Sequence, residues 1–142
     1  MIYTGGPDKF FDYKFGKLEW RSLNFKFRNY KKNFLQSCVQ YNYPNDHKYT
    51  RTVEIKHVTR QKNKYTVISK EYPSSVGDPY YPIINNKNKI LFKKYEKLIR
   101  EYEKKDIYFE GRLAKYKYFN TDEVIEKALF LFNRIKKKYK NK

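Results

Sequence analysis

The apolar side chains of this chain are mostly aromatic, and this feature constrains its fold more than any other. The 142 residues include 16 Tyr, 11 Phe and one Trp, which make up 20% of the sequence against 39% for all hydrophobic types. Disordered chains are poor in aromatic residues, so this composition predicts a folded protein with a core of large rings. No apolar run approaches the roughly 18 residues that a membrane span needs. We therefore expect a soluble, cytoplasmic protein.

The chain is strongly basic, with 33 Lys and Arg against 15 Asp and Glu and a formal charge of +18. This charge invites a nucleic-acid interpretation, because cations neutralise phosphates and release counterions. The basic residues are mostly lysines spread along the chain, which indicates biased composition more than a dedicated patch. A single cysteine, Cys38, excludes an internal disulfide, and two histidines leave little for a zinc site. We expect no metal site.

The first half of the chain is predicted to form antiparallel strands joined by polar turns. Residues 18–27 alternate in polarity, and the face that carries Phe25 and Phe27 is the better candidate for the core. Three further segments rich in Val, Thr, Tyr and Ile are predicted as strands, over residues 37–43, 49–57 and 64–72. Their short separations favour a meander of neighbouring strands.

A loop over residues 74–86 separates these strands from a helical region, because prolines and a glycine interrupt any strand pairing there. A helix is predicted to follow, from residue 88 to about residue 104. Its apolar residues recur at spacings of four, three and four and share one helical face: Leu91, Tyr95, Leu98 and Tyr102.

The last part of the chain is predicted as a short strand and a second helix. The strand spans residues 106–110, and Gly111 permits a left-handed turn after it. The helix begins at Asn120 or Thr121, either of which can cap it. It is apolar nearly all round, so it requires burial on more than one side. The fold class is therefore α+β, an antiparallel sheet followed by two helices and a short strand.

Sequence signatures of nucleotide sites and of nucleophilic enzymes are missing from the chain. No G-x-G-x-x-G opens a helix and no G-x-x-x-x-G-K-[ST] occurs, which argues against a self-contained dinucleotide or P-loop site. Cys38 lies in a strand-like stretch, where a buried inert thiol is the better interpretation. No G-x-S-x-G segment supports a serine nucleophile.

Arginine, tyrosine and carboxylate side chains gather in three places, at residues 49–51, 71–82 and 111–120. Arginine and tyrosine donate directed hydrogen bonds to anionic oxygens, which is what a diphosphate requires. A helix N-terminus after Asn120 adds backbone donors. The alternative is that the tyrosines pack on a sheet with their hydroxyls at its rim, and that Glu71 is only the cross-strand partner of Arg51.

These segments resemble UDP-galactopyranose mutase, and they do so in order along the chain. The matching stretches are YTG at 3–5, WRSL at 20–23, YTR at 49–51, EYP at 71–73, PYYP at 79–82, GRLA at 111–114 and YKY at 116–118. One triplet would mean little, but an ordered series from residue 3 to about residue 132 is a specific signal.

The resemblance implies a flavoprotein and an isomerase of galactofuranose biosynthesis, which interconverts UDP-galactopyranose and UDP-galactofuranose with reduced FAD as the nucleophile. Carried over by motif, Arg51 would face the substrate diphosphate. Tyr81 and Tyr118 would bind its phosphates. Glu71 would be a catalytic residue near the sugar and the flavin.

The residues around the last helix carry the implied cofactor site. Arg112 would hold the FAD diphosphate, and Thr121 and Asp122 would present the helix N-terminus to the flavin ring. Asn120 is a candidate catalytic residue and stands where the family often has Asp. An amide can donate and accept hydrogen bonds but cannot carry the charge of a carboxylate.

The resemblance covers only the C-terminal part of the family. The family's N-terminal half holds the glycine-rich FAD-binding unit, the helical substrate domain and the mobile lid, and it has no counterpart here. The chain is thus expected to be one C-terminal-like domain over residues 1–142, divided into a sheet region at 3–85, a helix at 86–105, a strand and flavin-facing helix at 106–138, and a basic tail at 136–142.

Three hypotheses follow from this partial resemblance. The chain is one piece of a split mutase whose N-terminal fragment is separately encoded, or it is a truncated relic that retains UDP-galactose binding. In both, it is inactive and does not hold FAD by itself. The third hypothesis is a basic, aromatic-rich module that binds nucleic acid or another polyanion through stacking and charge.

Overall fold

The computed structural model describes residues 1–140, which form two compact units. The first unit combines Met1–Trp20 with the chain from Tyr81 onward, and the second is Arg21–Tyr80. The architecture is α+β, as predicted. Its elements in chain order are β1 (Ile2–Tyr3), α1 (Pro7–Phe10), β2 (Trp20–Tyr30), β3 (Gln40–Asn42), β4 (Arg51–Val53), α2 (Lys56–Thr59), β5 (Thr66–Ser74), β6 (Tyr81–Pro82), α3 (Asn86–Lys104), β7 (Tyr108–Phe109) and α4 (Thr121–Lys140).

The second unit is built on an antiparallel sheet with the strand order β3-β4-β5-β2. The strands β3, β4 and β5 neighbour one another as predicted, but β2 lies beside β5 and not beside β3. The prediction of a simple meander is therefore wrong for β2. Nine residue pairs join β2 to β5, from Ser22 opposite Ser74 to Tyr30 opposite Thr66. The long ladder between β2 and β5 provides more backbone hydrogen bonds than a pairing of β2 with the three-residue strand β3 could provide.

The buried face of this sheet is the opposite of the one that the sequence indicated. Phe25 is 39% exposed and Phe27 is 70% exposed, whereas Ile68 is 2% exposed on the other face. Buried polar residues, among them Thr52 and Thr66, also lie on this face. The two large rings suggested that the Phe25 and Phe27 face is buried. A sheet face is buried only where another layer covers it, and within the described residues the opposite face is the covered one.

The core of the first unit forms around α3. Asn85 caps this helix by accepting a hydrogen bond from the N–H of Asn88 at 2.7 Å, so the helix begins at Asn86. Its predicted apolar face is confirmed, since Tyr95 is buried and Ile99 joins it. The aromatic residues Phe10, Phe11 and Phe15 pack in the same core, which Phe92 and Tyr102 of α3 itself also join.

Two buried tyrosines fasten loops of the first unit through their hydroxyls. Tyr95 donates to the carbonyl of Gly16 at 2.6 Å, and Tyr116 donates to the carbonyls of Glu19 at 2.6 Å and Ile83 at 3.0 Å. Burial raises the pKa of Tyr116 to about 12, so it stays a donor at any physiological pH. These side chains combine ring packing with a satisfied polar tip.

The helix α4 is poorly covered in the described chain. Of its residues only Leu131 is buried, while Ile125, Leu129, Phe130 and Phe132 are between 56% and 72% exposed. A helix that is apolar on several sides normally packs on more than one neighbour. Near it, β1 and β7 form a two-stranded parallel sheet, an arrangement that usually belongs to a larger covered sheet.

The predicted basic tail is partly helical. Residues 136–140 continue α4 and are exposed, and residues 141 and 142 lie outside the described residues. Among residues 1–140, no helix combines the length and apolar character that crossing a membrane requires.

Candidate functional site

Two of the predicted site residues face each other across the sheet of the second unit. Arg51 on β4 and Glu71 on β5 are register partners, and Arg51 Nη1 lies 3.6 Å from Glu71 Oε2. The Glu71 side chain is 12% exposed and that of Arg51 is 37% exposed, so the pair sits at the sheet surface with its carboxylate sheltered. Arg51 also donates from Nε to Asn42 Oδ1 at 3.2 Å.

Aromatic rings surround the start of β4. Tyr49 stacks on His47 at 4.6 Å between ring centroids and meets Tyr72 edge-on at 5.8 Å. The ammonium of Lys70 lies 4.2 Å from the centre of the Tyr49 ring. These stacked rings with a cation over one face lie close to Arg51 along the chain, and Tyr49, Lys70 and Tyr72 are half-buried.

Three further site residues contact one another in the first unit. The rings of Tyr81 and Tyr118 stack with centroids 6.2 Å apart, and the guanidinium of Arg112 lies 5.2 Å from the centre of the Tyr118 ring. Tyr118 is 53% exposed. Gly111 has the positive φ of 103° that the sequence analysis expected, and it turns the chain directly before Arg112. Two tyrosine rings and a guanidinium thus contact one another in the first unit.

The N-terminus of α4 follows this cluster. The carbonyl of Asn120 accepts the first helical hydrogen bond from Val124, and its N–H donates to the Glu123 carboxylate at 2.7 Å. Asn120 is therefore the N-cap, with Glu123 completing half of a capping box. Thr121 and Asp122 lie exposed in the first turn, where backbone N–H groups have no helical acceptor.

The donors of the first unit suit an anionic ligand. A guanidinium and a helix N-terminus fit anionic oxygens or an electron-rich ring. The glycines near the start of the chain do not form a phosphate cradle: a Cβ on Gly5 would lie 2.6 Å from the Tyr3 hydroxyl, and one on Gly6 would lie 2.8 Å from Asp8 Oδ1. These glycines serve packing within the chain.

The burial of two charged residues next to β4, Glu54 and Lys56, was missed by the sequence analysis. Glu54 is fully buried and its carboxylate accepts hydrogen bonds from the N–H groups of Leu35 and Gln36 and from the Thr66 hydroxyl. Burial alone raises the pKa of Glu54, but the hydrogen bonds from Thr66, Gln36 and Leu35 outweigh it, and the pKa lies below its usual value. The carboxylate therefore stays charged.

Lys56 complements Glu54 two residues later. It is also buried, and its ammonium donates to the carbonyls of Asn33 at 2.8 Å, Asn63 at 2.6 Å and Tyr65 at 3.2 Å. The spacing of Glu54 and Lys56 gave no sign of burial, because charged residues are usually exposed. Together, Glu54 and Lys56 hold the loop before β3 and the loop before β5 by hydrogen bonds.

The prediction for Cys38 was wrong. Its thiol is exposed, outside the short strand β3, and its Sγ lies 3.2 Å from the carbonyl of Gln40. The strand at this edge is only three residues long, so Cys38 lies in the loop before it.

Comparison with known proteins identifies the origin of these motifs. A family model described as UDP-galactopyranose mutase matches residues 1–118. The mutase of Mycoplasma genitalium is 37% identical over 134 residues, which is 88% of this chain and 33% of the relative. The mutase of Mycoplasma pneumoniae is 35% identical over 138 residues, 91% of this chain and 34% of the relative.

A third relative is named for a different nucleotide sugar. The dTDP-fucopyranose mutase of Escherichia coli is 34% identical over 134 residues, 91% of this chain and 35% of the relative. The chain therefore spans about a third of the length of the curated relatives that it matches. Since the family match extends over residues 1–118 of 142, the chain belongs to the UDP-galactopyranose mutase family.

Proposed function

We propose that this chain supplies the diphosphate-binding side chains of a mutase that interconverts UDP-galactopyranose and UDP-galactofuranose. The residues proposed to contact the substrate phosphates are Arg51, Tyr81 and Tyr118. The observation that carries the proposal is the contact of Tyr81, Tyr118 and Arg112 within the segment that the family match covers. Hydroxyl and guanidinium donors stabilise the negative charge that grows on a departing nucleoside diphosphate.

Glu71 and Asn120 are proposed to act near the sugar. The Glu71 carboxylate is sheltered and close to Arg51, so it can hold a sugar hydroxyl and the guanidinium at once. Asn120 offers a side-chain amide that can donate and accept hydrogen bonds but cannot take up a proton as a carboxylate can. We propose that it orients the substrate.

Arg112, Thr121 and Asp122 are the residues proposed to hold FAD. Arg112 would contact the cofactor diphosphate, and the first turn of α4 would point its N–H groups at the electron-rich edge of the ring. When bound, reduced FAD supplies the nucleophile for the anomeric carbon. The contribution of these residues is binding and orientation.

Turnover is proposed to require the remaining two thirds of a mutase in addition to residues 1–142. The relatives are about three times as long as the segment they share with this chain. The exposed apolar side chains of α4 and the two-stranded parallel sheet support this proposal, because both features call for further packing partners. We propose that the N-terminal part of a mutase supplies those partners, and that residues 1–142 by themselves are inactive.

One observation favours a second candidate function, the binding of nucleic acid or another polyanion. Lysine ammonium groups lie over exposed or half-buried tyrosine rings in the second unit, with Lys26 at 5.0 Å from Tyr72 and Lys70 at 4.2 Å from Tyr49. Rings and cations together suit single-stranded nucleic acid. The charge of +18 would add long-range attraction.

Titration with UDP-galactose by calorimetry, at low and high salt, separates the two functions. The mutase proposal expects saturable binding that weakens about tenfold in Arg51→Ala, because a charged hydrogen-bond partner of the phosphate is lost. Arg100→Ala, an exposed arginine on α3, is the matched control and should bind normally. Tight, steeply salt-dependent binding of single-stranded DNA together with no binding of UDP-galactose would instead establish the second function.

A further inference from the structure

A row of polar side chains crosses the sheet of the second unit at Arg51. Asn42 on β3 is the register partner of Arg51, just as Glu71 on β5 is on the other side. Asn42 Oδ1 accepts a hydrogen bond from Arg51 Nε at 3.2 Å and a second one from Gln40 Nε2 at 3.0 Å. Gln40 lies two residues before Asn42 on the same strand, so both side chains share a face.

These contacts define which edge of the guanidinium is occupied. Nε is used by Asn42, and Nη1 lies 3.6 Å from the Glu71 carboxylate. The third nitrogen, Nη2, carries two more N–H groups that point away from the side-chain stem. A guanidinium held at Nε and Nη1 therefore presents its outer edge in one orientation.

The side-chain amide of Asn42 is suited to orienting the Arg51 guanidinium. An amide oxygen is a neutral acceptor, so it orients the guanidinium without cancelling the charge that attracts a phosphate. The hydrogen bond from Gln40 fixes the direction of the amide, because the reversed amide would bring its NH₂ group against two donors. Gln40 thus holds Asn42, and Asn42 holds Arg51.

We propose that Asn42, oriented by Gln40, is a positioning residue that aims Arg51 at the diphosphate of the nucleotide sugar. This inference rests on the proposed function, since it assumes that Arg51 meets a phosphate. A long arginine side chain loses considerable rotamer freedom when it binds a ligand. Holding it beforehand removes part of that loss and strengthens binding.

The test measures UDP binding to the full chain and to Asn42→Ala, Gln40→Ala and Arg51→Ala by calorimetry. We expect Asn42→Ala to weaken UDP binding about five- to tenfold, and Gln40→Ala to weaken it less, because the amide loses only its orientation. Asn45→Ala, an exposed asparagine in the turn after β3, is the matched control and should leave binding unchanged.

A second readout reports the geometry of Arg51 without any ligand. In nuclear magnetic resonance spectra, the Nε–H proton of Arg51 should exchange with water more slowly than that of the exposed Arg100. The protection should disappear in Asn42→Ala and decrease in Gln40→Ala. A variant that merely destabilised the sheet would also alter the backbone amides of β4 and β5, so unchanged amide signals exclude that explanation.

The outcomes distinguish this inference from the proposed function. If UDP binds the unsubstituted chain and Asn42→Ala binds it equally well, the positioning role is overturned while the proposed function stands. If the Arg51 Nε–H proton exchanges as fast as that of Arg100, the positioning role is overturned regardless of UDP. If neither UDP nor inorganic pyrophosphate binds or shifts the Arg51 signal, the diphosphate role of Arg51 fails, and both proposals fail with it.

Discussion

At the scale of single residues, the loops of the second unit are held by two buried charged residues whose burial no sequence pattern predicted. Glu54 and Lys56 are each about 95% buried or more, and each holds loop backbone by several hydrogen bonds. Buried charges persist only when such partners satisfy them. Their partners come from residues 33–36 and 63–66, which local spacing could not connect to β4. The Arg51–Glu71 pair, in contrast, was one of the alternatives that the sequence offered, because both residues lay in segments predicted as strands.

Glu54→Ala should destabilise the chain strongly, by about 2–4 kcal/mol in the free energy of unfolding, because it leaves buried N–H and hydroxyl donors without an acceptor. Urea unfolding followed by circular dichroism measures this change. Glu101→Ala, an exposed carboxylate on α3, should change the free energy by less than about 0.5 kcal/mol. Equal effects of the two substitutions would contradict the role assigned to Glu54.

Asp106 makes the stability of the first unit vary with pH in the acid range. Hydrogen bonds from Lys138, and then from Tyr108, lower the pKa of Asp106 to about 2 from its ordinary 3.8. A carboxyl whose pKa is lower when folded stabilises the folded state above its unfolded pKa, and this contribution disappears as the pH falls from about 4 through about 2. In Lys138→Met the Asp106 carboxyl, followed by carbon-13 resonance, should titrate at higher pH. Lys137→Met should leave the midpoint unchanged.

At the scale of elements, the sequence predicted the two long helices better than strand partners. The strand predicted over residues 49–57 is wrong at its end, where the short helix α2 begins at Lys56. The α3 face at Leu91, Tyr95, Leu98 and Tyr102 depends on spacing along one segment, and the structure confirms it. The place of β2 beside β5 and the exposure of Phe27 depend instead on residues far away in sequence and on which layer covers the sheet. Neither can be deduced from alternation alone.

Leu131 is the one described residue of α4 that is buried, and it anchors the helix. Leu131→Ala should destabilise the first unit by about 2–3 kcal/mol, since it removes buried methyl groups. The matched substitution Leu129→Ala, at a residue that is 58% exposed, should change stability by less than about 0.5 kcal/mol. Thermal unfolding of both variants measures the difference, and similar melting temperatures would count against α4 docking through Leu131.

Amide exchange should show that α4 is held loosely compared with the sheet. Amides of residues 124–136 are expected to exchange faster than those of β2 and β5, because the helix has one buried side chain to hold it. The helix α3, with Tyr95 and Ile99 buried, serves as a well-packed internal control. Protection of α4 equal to that of the central strands would contradict this expectation.

At the scale of the whole molecule, the family was predicted from motifs, and the comparisons confirm it. Ordered segments from YTG to YKY carried the resemblance, and the family match covers the same part of the chain. The bulk charge of +18 was a weaker guide, because charge is spread along the chain and reports solubility before function. The chain spans about a third of the length of these relatives.

The most direct test of the account combines this chain with a polypeptide that carries the two thirds of the Mycoplasma genitalium mutase that it does not match. After co-expression and purification, flavin absorbance and conversion of UDP-galactofuranose to UDP-galactopyranose are measured. The account predicts a yellow complex that turns over substrate, with activity lost in Arg51→Ala and kept in Arg100→Ala. A folded, flavin-bound complex without turnover, or full activity of this chain by itself, would contradict it.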